Sequence, residues 1–184
     1  MNVIKDALVS QNLWYKIGGR VRYLIECSSQ NDVLDAFEFI KKEKIVNYFV
    51  VGLGSNLLFT DEEYDGVVIQ ISGSVTPQLI GKDTIEVFAG NTLDSAIQFA
   101  FENNLVGLEW AGGLPGTVGA AIRGNVGAFG GEIKDVFVGA EVFDTNSKKL
   151  EVKVLNKRDI KFDYRSSTVK KNHNMIVLSA RFKL

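Results

Sequence analysis

The sequence predicts an α+β protein with two lobes, and three observations favour this class. Residues 1–73 alternate between strand-like and helix-like segments, which is typical of a small α/β lobe. Residues 74–184 contain strand-like runs joined by polar turns, which predicts a larger lobe with an antiparallel sheet and short helices. A polar stretch at 72–82, which contains Pro77, is the predicted join between the lobes.

The first lobe is predicted to follow a β-α-β-β order. Apolar runs at 21–26, 48–51 and 67–71 have the length of strands. Ser29 is the predicted N-cap of the helix, and Asp32 completes a capping-box pattern. The apolar residues of this helix recur at helical spacing: Val33, Leu34, Phe37 and Ile40.

The second lobe is predicted from strands at 84–88 and 175–184, a helix capped by Thr92, and a hairpin formed by 136–144 and 150–155. The helix is expected to bury one face: Leu93, Ala96, Ile97, Ala100 and Phe101. The final strand alternates, and its core-facing side is expected to be Ile176, Leu178, Ala180, Phe182 and Leu184.

Composition and charge argue against several classes of protein. Apolar residues make up 46% of the 184 residues and charged residues 23%, as in an ordinary globular domain. The formal net charge of −1 offers no basic surface for nucleic acid. No apolar run approaches the ~20 residues of a membrane span. Cys27 is the single cysteine, so no internal disulfide forms, and with no apolar segment after Met1 the predicted location is the cytoplasm.

Residues 107–132 are the most unusual stretch, because they hold nine of the eighteen glycines. Glycine at this density lets main-chain N–H groups approach a ligand closely. Pro115 predicts a helix start, and a helix N-terminus behind a glycine-rich loop suits an anion such as a pyrophosphate. The alternative is an ordinary glycine-rich surface loop.

A second glycine-rich loop, 52–56, lies in the first lobe. Leu57 stands where a Rossmann fingerprint needs its third glycine, and neither loop contains the Gly-Lys-Ser/Thr of a P-loop. Phosphate binding would therefore depend on main-chain N–H groups with Ser55, Asn56 and Thr117. This pattern favours a dinucleotide held as a prosthetic group over a nucleotide that is hydrolysed.

Five short motifs then point to one family. They are VVGLGSNLL at 50–58, GLE at 107–109, PGTVG at 115–119, GNVGAFGGE at 124–132 and YRSS at 164–167. In this order and spacing they resemble the FAD-binding part of the UDP-N-acetylenolpyruvoylglucosamine reductase (UDP-N-acetylmuramate dehydrogenase) family. The resemblance runs over residues 12–184. It implies a two-lobed, PCMH-type fold with FAD stretched between the lobes, and NADPH as co-substrate in peptidoglycan precursor synthesis.

The resemblance also implies which residues contact FAD. Gly52, Gly54, Ser55 and Asn56 would wrap the pyrophosphate, and 115–119 would hold the pyrophosphate and ribityl region. Residues 123–128 would lie along the flavin, and Ile176 would lie near its ring. The full predicted cofactor set is Gly52, Leu53, Gly54, Ser55, Asn56, Leu57, Gly113, Pro115, Gly116, Thr117, Gly119, Ala120, Arg123, Gly124, Asn125, Gly127, Ala128 and Ile176.

Tyr164 and Arg165 are the predicted catalytic pair by resemblance. A guanidinium suits a carboxylate, so Arg165 would stabilise the negative charge that develops when hydride reaches the enolpyruvyl group of the UDP-sugar. The alternative is a surface arginine in a weak ion pair. The family carries a further C-terminal domain, with a proton-donating serine, that this sequence does not include. The chain alone is therefore expected to be weak or inactive, with a missing domain or a homo-oligomer as its partner.

The remaining candidates are weaker. His173 is predicted to lie in a solvated turn, Cys27 to pack in the core, and the acidic run 61–63 to be a solvated loop rather than a metal site. Trp110 either touches the flavin or fills space near it. Three functions stay open: the flavin lobes of a reductase, a stand-alone FAD-binding module without reductase activity, or a scaffold that has lost the cofactor.

Overall fold

The computed structural model describes residues 1–147 and 151–184. The chain divides into two compact units, Met1–Gly73 and Ser74–Leu184. Each unit has its own sheet and helices, so the predicted α+β class is confirmed. The predicted hairpin turn includes residues 148–150, which lie outside the described residues.

The first unit contains a mixed four-stranded sheet and one long helix. Its elements are β1 (Asn2–Leu8), a 3₁₀ turn (Val9–Gln11), β2 (Arg20–Cys27), α1 (Gln30–Lys42), β3 (Tyr48–Val51) and β4 (Tyr64–Ile71). The strand order is β1-β2-β4-β3, with β2 and β3 parallel to β4 and β1 antiparallel to β2. The sequence pattern missed β1 because this edge strand buries only Ala7, which leaves no apolar alternation to recognise.

Ser29 caps α1 as predicted, but the capping box is wrong. The Ser29 hydroxyl accepts a hydrogen bond from the Asp32 N–H at 3.2 Å. The Asp32 carboxylate accepts from the N–H of Ser28, at 2.9 Å, instead of returning to Ser29. Asp32 also pairs with the N-terminal ammonium of Met1, which holds the pKa of this carboxyl well below its ordinary value.

The second unit contains a five-stranded antiparallel sheet in the order β10-β9-β11-β6-β5 and a separate β7-β8 ribbon. Its elements are β5 (Gln78–Ile80), β6 (Thr84–Phe88), α2 (Leu93–Glu102), a 3₁₀ turn (Glu109–Ala111), α3 (Val118–Gly124), β7 (Gly127–Ala128), β8 (Gly131–Glu132), α4 (Ile133–Val136), β9 (Phe137–Asp144), β10 (Val152–Asn156), α5 (Lys157–Ile160), α6 (Thr168–Lys171) and β11 (Met175–Lys183). The predicted join at 72–82 therefore contains a strand, because β5 pairs with β6 around a turn at Gly81.

The helix α2 has the predicted cap and nearly the predicted buried face. The Thr92 hydroxyl accepts from the Ser95 N–H at 3.1 Å. The residues of α2 in the main core are Leu93, Ala96, Ile97 and Ala100. Phe101 was expected among them, but its side chain is half exposed, since it lies on the edge of that face.

The strict alternation predicted for the last strand is wrong, because residues 176–180 of β11 are all buried. Its register against β9 shifts between Val177 and Ser179. This irregularity changes the phase of the strand, so Val177, Ala180 and Phe182 all join the main core. Ile176 is also buried, but outside that core cluster.

Candidate functional site

The loop before α3 starts its helix later than the sequence predicts. Thr117 is extended and forms a β-bridge with Thr92, so the helix begins at Val118 and the predicted start at Pro115 is wrong. The N–H of Val118 donates to the main-chain carbonyl of Asn91 at 2.9 Å. The next N–H group of α3 is also bonded to a main-chain carbonyl, so the first turn of this short helix is largely satisfied by the protein itself.

Some main-chain N–H groups of residues 113–120 donate hydrogen bonds within the protein, and others do not. Gly113 donates to the carboxylate of Asp94 at 2.8 Å. By contrast, the N–H groups of Gly116, Thr117 and Ala120 donate to no acceptor within residues 1–147 and 151–184. Donors without a protein acceptor are the groups that an anionic cofactor could use, and they fit a phosphate.

The loop 52–57 of the first unit is shaped by packing. Gly54 has a φ of +72°, and a Cβ added there would lie 2.6 Å from the side chain of Leu13. The carbonyl of Gly52 accepts a hydrogen bond from the side chain of Gln70 at 3.3 Å. Asn56, further along the loop, is exposed. Leu13 and Gln70 therefore hold the inner side of the loop, and its outer side faces away from the core of the first unit.

An apolar cavity of about 370 Å³ adjoins this loop within the first unit. Its walls are Tyr15, Ile17, Asn56, Leu57 and Leu58. The Leu58 side chain is 75% exposed, which is unusual for a leucine beside a cavity.

The second unit contains an open cavity of about 400 Å³. It is lined by Asn125, the β7–β8 hairpin at 127–132, the segment 134–135, and the predicted catalytic pair Tyr164 and Arg165. This cavity brings together five of the predicted site residues: Asn125, Gly127, Ala128, Tyr164 and Arg165.

Arg165 lies in a tight turn that points its guanidinium at the hairpin. Asp163 and Ser166 close the turn with two main-chain hydrogen bonds of 3.0 and 3.1 Å. Arg165 has a φ of +51°, an uncommon conformation for a residue other than glycine. Its Nη2 donates to the carbonyl of Gly127 at 3.1 Å, and its own carbonyl accepts from Nζ of Lys170 at 2.7 Å. One bond therefore holds the guanidinium at the cavity, and the other holds the main chain of Arg165.

Exposed aromatic side chains line the same cavity. Tyr164 is 79% exposed and Phe129 is 91% exposed. Phe129 and Gly130 form the two-residue tip of the hairpin, with φ of +50° and +86°, as in a type I′ turn. Phe129 is not among the residues predicted for the site, although a glycine in the second position of a short turn signals such a hairpin.

Backbone strain is concentrated here. Eight non-glycine residues of the described chain have positive φ, and three of them line this cavity: Asn125, Phe129 and Arg165. Such conformations persist only where the surrounding structure enforces them, and they cluster at functional sites.

An ion pair between Glu132 and Lys134 lies on the cavity wall. The hydrogen bond from Lys134, followed by that from Asn125, lowers the pKa of the Glu132 carboxyl, and the charge of Arg165 adds to this effect. The same pair raises the pKa of Lys134. Both pKa shifts keep the Glu132 and Lys134 side chains charged near neutral pH.

The remaining predicted residues lie elsewhere. Arg123 is exposed, and its carbonyl accepts from the buried Ser167 hydroxyl at 2.8 Å. Ile176 is buried within β11. Trp110 lies under the hairpin: its Nε1 donates to the carbonyl of Gly107 at 3.1 Å, and its ring would meet a Cβ added at Gly131 at 2.4 Å. Of the two roles considered for Trp110, these contacts support packing.

The other candidate residues, Cys27 and His173, lie outside the two cavities. Cys27 is fully buried, and burial raises the pKa of its thiol to about 12. His173 is exposed in a turn. Within residues 1–147 and 151–184, no group of three or more His, Cys, Asp or Glu side chains could hold a metal ion. In the same part of the chain, no helix has the length and apolar character needed to cross a bilayer.

Comparison with known proteins places this geometry in a family. A profile of the FAD binding domain matches residues 21–153. The chain belongs to the FAD-binding domain family. The cofactor of this family is consistent with the two glycine-rich loops. The match confirms the fold class and the flavoprotein character predicted from the motifs.

Curated relatives of this FAD-binding domain carry the name suggested by the motifs. A UDP-N-acetylenolpyruvoylglucosamine reductase of Caldicellulosiruptor bescii is 39% identical over 181 residues, which are 98% of this chain and 56% of the relative. The reductase of Fusobacterium nucleatum is 34% identical over 91% of this chain and 57% of the relative. The resemblance is confirmed, and the chain spans about half the length of the curated relatives it matches.

Solved structures agree with the fold. The UDP-N-acetylenolpyruvylglucosamine reductase of Thermus caldophilus matches with a TM-score of 0.78 and 30% identity, covering 100% of this chain and 62% of that one. The 6-hydroxy-D-nicotine oxidase of Arthrobacter nicotinovorans matches with a TM-score of 0.73 at 16% identity, covering 99% of this chain and 41% of the oxidase. The second likeness concerns the fold alone.

Proposed function

We propose that the chain is the FAD-binding portion of an NADPH-dependent UDP-N-acetylenolpyruvoylglucosamine reductase that acts in the cytoplasm on a peptidoglycan precursor. The observation that carries this proposal is the cavity of the second unit, where Arg165 is held against the carbonyl of Gly127. The identity of 34–39% to reductases of that name supports it.

FAD would be held mainly by main-chain groups. In the second unit, the N–H donors of Gly116, Thr117 and Ala120, which have no acceptor among the described residues, fit the negative charge of a pyrophosphate. In the first unit, the loop 52–57 carries the polar side chains of Ser55 and Asn56, and Asn56 is exposed. FAD, when bound, supplies the redox chemistry that links NADPH to the enolpyruvyl double bond.

Arg165 would bind the carboxylate of the enolpyruvyl group. Hydride addition to one carbon of the double bond places negative charge on the carbon next to the carboxylate, and the second carbon then takes a proton. A fixed guanidinium stabilises that charge as it develops, because the cation is already oriented and needs no reorganisation. The turn at 163–166 and the bond to Gly127 provide this orientation. Tyr164 lies beside Arg165 on the cavity wall.

A second candidate is a stand-alone FAD-binding module without reductase activity. The observation that favours it is the match of the FAD binding domain to residues 21–153, because this match supports cofactor binding and not reduction of a substrate. In this case Arg165 would have no substrate to bind, although FAD would still be retained.

A single-turnover experiment separates the two. The FAD-loaded chain is reduced without oxygen, UDP-N-acetylglucosamine enolpyruvate is added, and the return of the oxidised flavin band is followed. The reductase predicts reoxidation that depends on this substrate, and that slows by about 10²–10³-fold in Arg165→Lys, since the fork-shaped donor is lost. Arg158→Lys, at an exposed arginine of α5, is the matched control and keeps the wild-type rate.

Two results would go against the reductase. If the flavin binds but no substrate-dependent reoxidation occurs, this chain by itself acts as a FAD-binding module. If reoxidation occurs at the same rate in Arg165→Lys as in the wild type, Arg165 does not have the proposed role.

A further inference from the structure

Asn125 is placed by its sequence motif among the residues that contact FAD, yet its side chain is occupied by the protein. The residue is 1% exposed. One Nδ2 proton is directed to Oε2 of Glu132 at 2.9 Å and another to the carbonyl of Asp163 at 3.1 Å. An amide has two N–H donors, so neither is left for a cofactor. Its Oδ1 accepts from the N–H of Lys134 at 3.1 Å.

These partners lie at the two ends of the contact that holds Arg165. Asp163 begins the turn that carries Arg165. Glu132 lies directly opposite Gly127 in the β7–β8 ribbon, and Gly127 provides the carbonyl that binds the guanidinium. The amide of Asn125 thus connects the segment that presents the cation to the segment that receives it.

The backbone of Asn125 fits this task. It has a φ of +43° and ends α3, a left-handed position that asparagine tolerates better than most residues. A buried, fully bonded amide in such a position fixes the chain on both sides, and removing it takes a hydrogen-bond partner from Glu132, Asp163 and Lys134.

We infer that Asn125 is a positioning residue, which fixes the Arg165 guanidinium at the cavity by bonding Glu132 and Asp163 together. The role of Arg165 toward a substrate carboxylate rests on the proposed function, but the positioning of its guanidinium does not.

The test uses arginine-selective labelling with phenylglyoxal, read out by mass spectrometry, on the full chain. Asn125→Gly keeps the left-handed backbone and removes the amide. The label at Arg165 is expected to form about five-fold faster in this variant, the factor that one hydrogen bond of ordinary strength is worth. Arg20, in the first unit, is the internal reference and should be labelled at an unchanged rate.

Two further variants make the result specific. Asn104→Gly replaces an exposed asparagine with a φ of +58° after α2, and it should leave the labelling of Arg165 unchanged. Asn125→Asp keeps the acceptor for the Lys134 N–H, loses both donors and places a second carboxylate against Glu132, so it should label Arg165 at least as fast as Asn125→Gly. Hydrogen exchange at the Lys134 amide should be faster in Asn125→Gly than in Asn125→Asp.

Equal labelling of Arg165 in the wild type and Asn125→Gly would overturn the inference. A uniform increase at all arginines would also overturn it, because this would show general loosening. If Asn125→Gly does not fold, the Asn125→Asp result decides in the same way. Labelling needs neither FAD nor substrate. The labelling experiment can therefore overturn the role of Asn125 while the single-turnover experiment supports the proposed function, and the opposite pair of results is equally distinguishable.

Discussion

The loop around Gly54 in the first unit and the hairpin around Gly130 in the second are both glycine-rich, but they need glycine for different reasons. A Cβ at Gly54 would collide with Leu13 at 2.6 Å, so packing and a φ of +72° both demand glycine. A Cβ at Gly130 would have no atom within 4 Å, and only its φ of +86° demands glycine. The first loop is therefore locked against its own core, whereas the second is open and borders the cavity of Arg165.

A substitution that breaks the packing of the locked loop should cost the most stability. Gly54→Ala should reduce the free energy of unfolding of the first unit by about 2–5 kcal/mol, because left-handed strain and overpacking add together. Urea denaturation measures this loss. Gly81→Ala is the matched control: its φ of +70° is similar, but a Cβ there has open space, so only about 1–2 kcal/mol should be lost. Equal losses in the two variants would show that Leu13 does not lock the loop.

An intermediate effect is expected from the buried thiol of the first unit. Burial raises the pKa of Cys27 to about 12 in the folded chain, above the ordinary pKa of about 8.5 in the unfolded one. The stabilisation that comes from keeping the thiol protonated is therefore complete below pH ~8.5. It is lost as pH rises, at about 1.4 kcal/mol per pH unit.

This pH dependence can be measured against Cys27→Ala. Between pH ~9 and ~11, the free energy of unfolding of the wild type should fall more steeply than that of the variant. Thiol labelling at pH 8 should be negligible in the folded chain and rapid in urea, which reports unfolding of the first unit alone. Parallel pH profiles for the two proteins would contradict the assigned burial.

The smallest effect is expected at the open hairpin, and it has the opposite sign. Phe129→Asn should stabilise the second unit by about 1 kcal/mol, because asparagine suits the left-handed turn position that phenylalanine occupies under strain. Phe101→Asn removes another exposed phenylalanine, on α2, without relieving any strain, so it should not stabilise. In the single-turnover assay Phe129→Asn should slow substrate-dependent reoxidation, since an aromatic wall of the cavity is lost. A loss of stability in Phe129→Asn would contradict the strained turn.

Much of the fold could be predicted because its signals are local. The caps of α1 and α2 follow from Ser29 and Thr92, and the apolar runs mark most strands. The edge strand β1 could not be found, because an exposed edge has no apolar face to show. The phase change in β11 depends on pairing with β9, which no single strand reveals.

The candidate site could be predicted as a set of motifs but not as a geometry. The motifs at 124–132 and 164–167 are 40 residues apart from one start to the other, and only the fold shows that they line one cavity. The bonds of Asn125 could not be foreseen, because they depend on where Glu132 and Asp163 are brought. Phe129 was missed because the predicted flavin contacts end at Ala128, although Gly130 in the second turn position signals the hairpin that presents it.

Calorimetric titration of the flavin-free chain with FAD measures whether this chain binds the cofactor of its family. We predict saturable binding of one FAD per chain, weakened in Gly54→Ala and little changed in Arg165→Lys, since Arg165 is assigned to the substrate. No saturable binding by a folded chain would contradict this prediction.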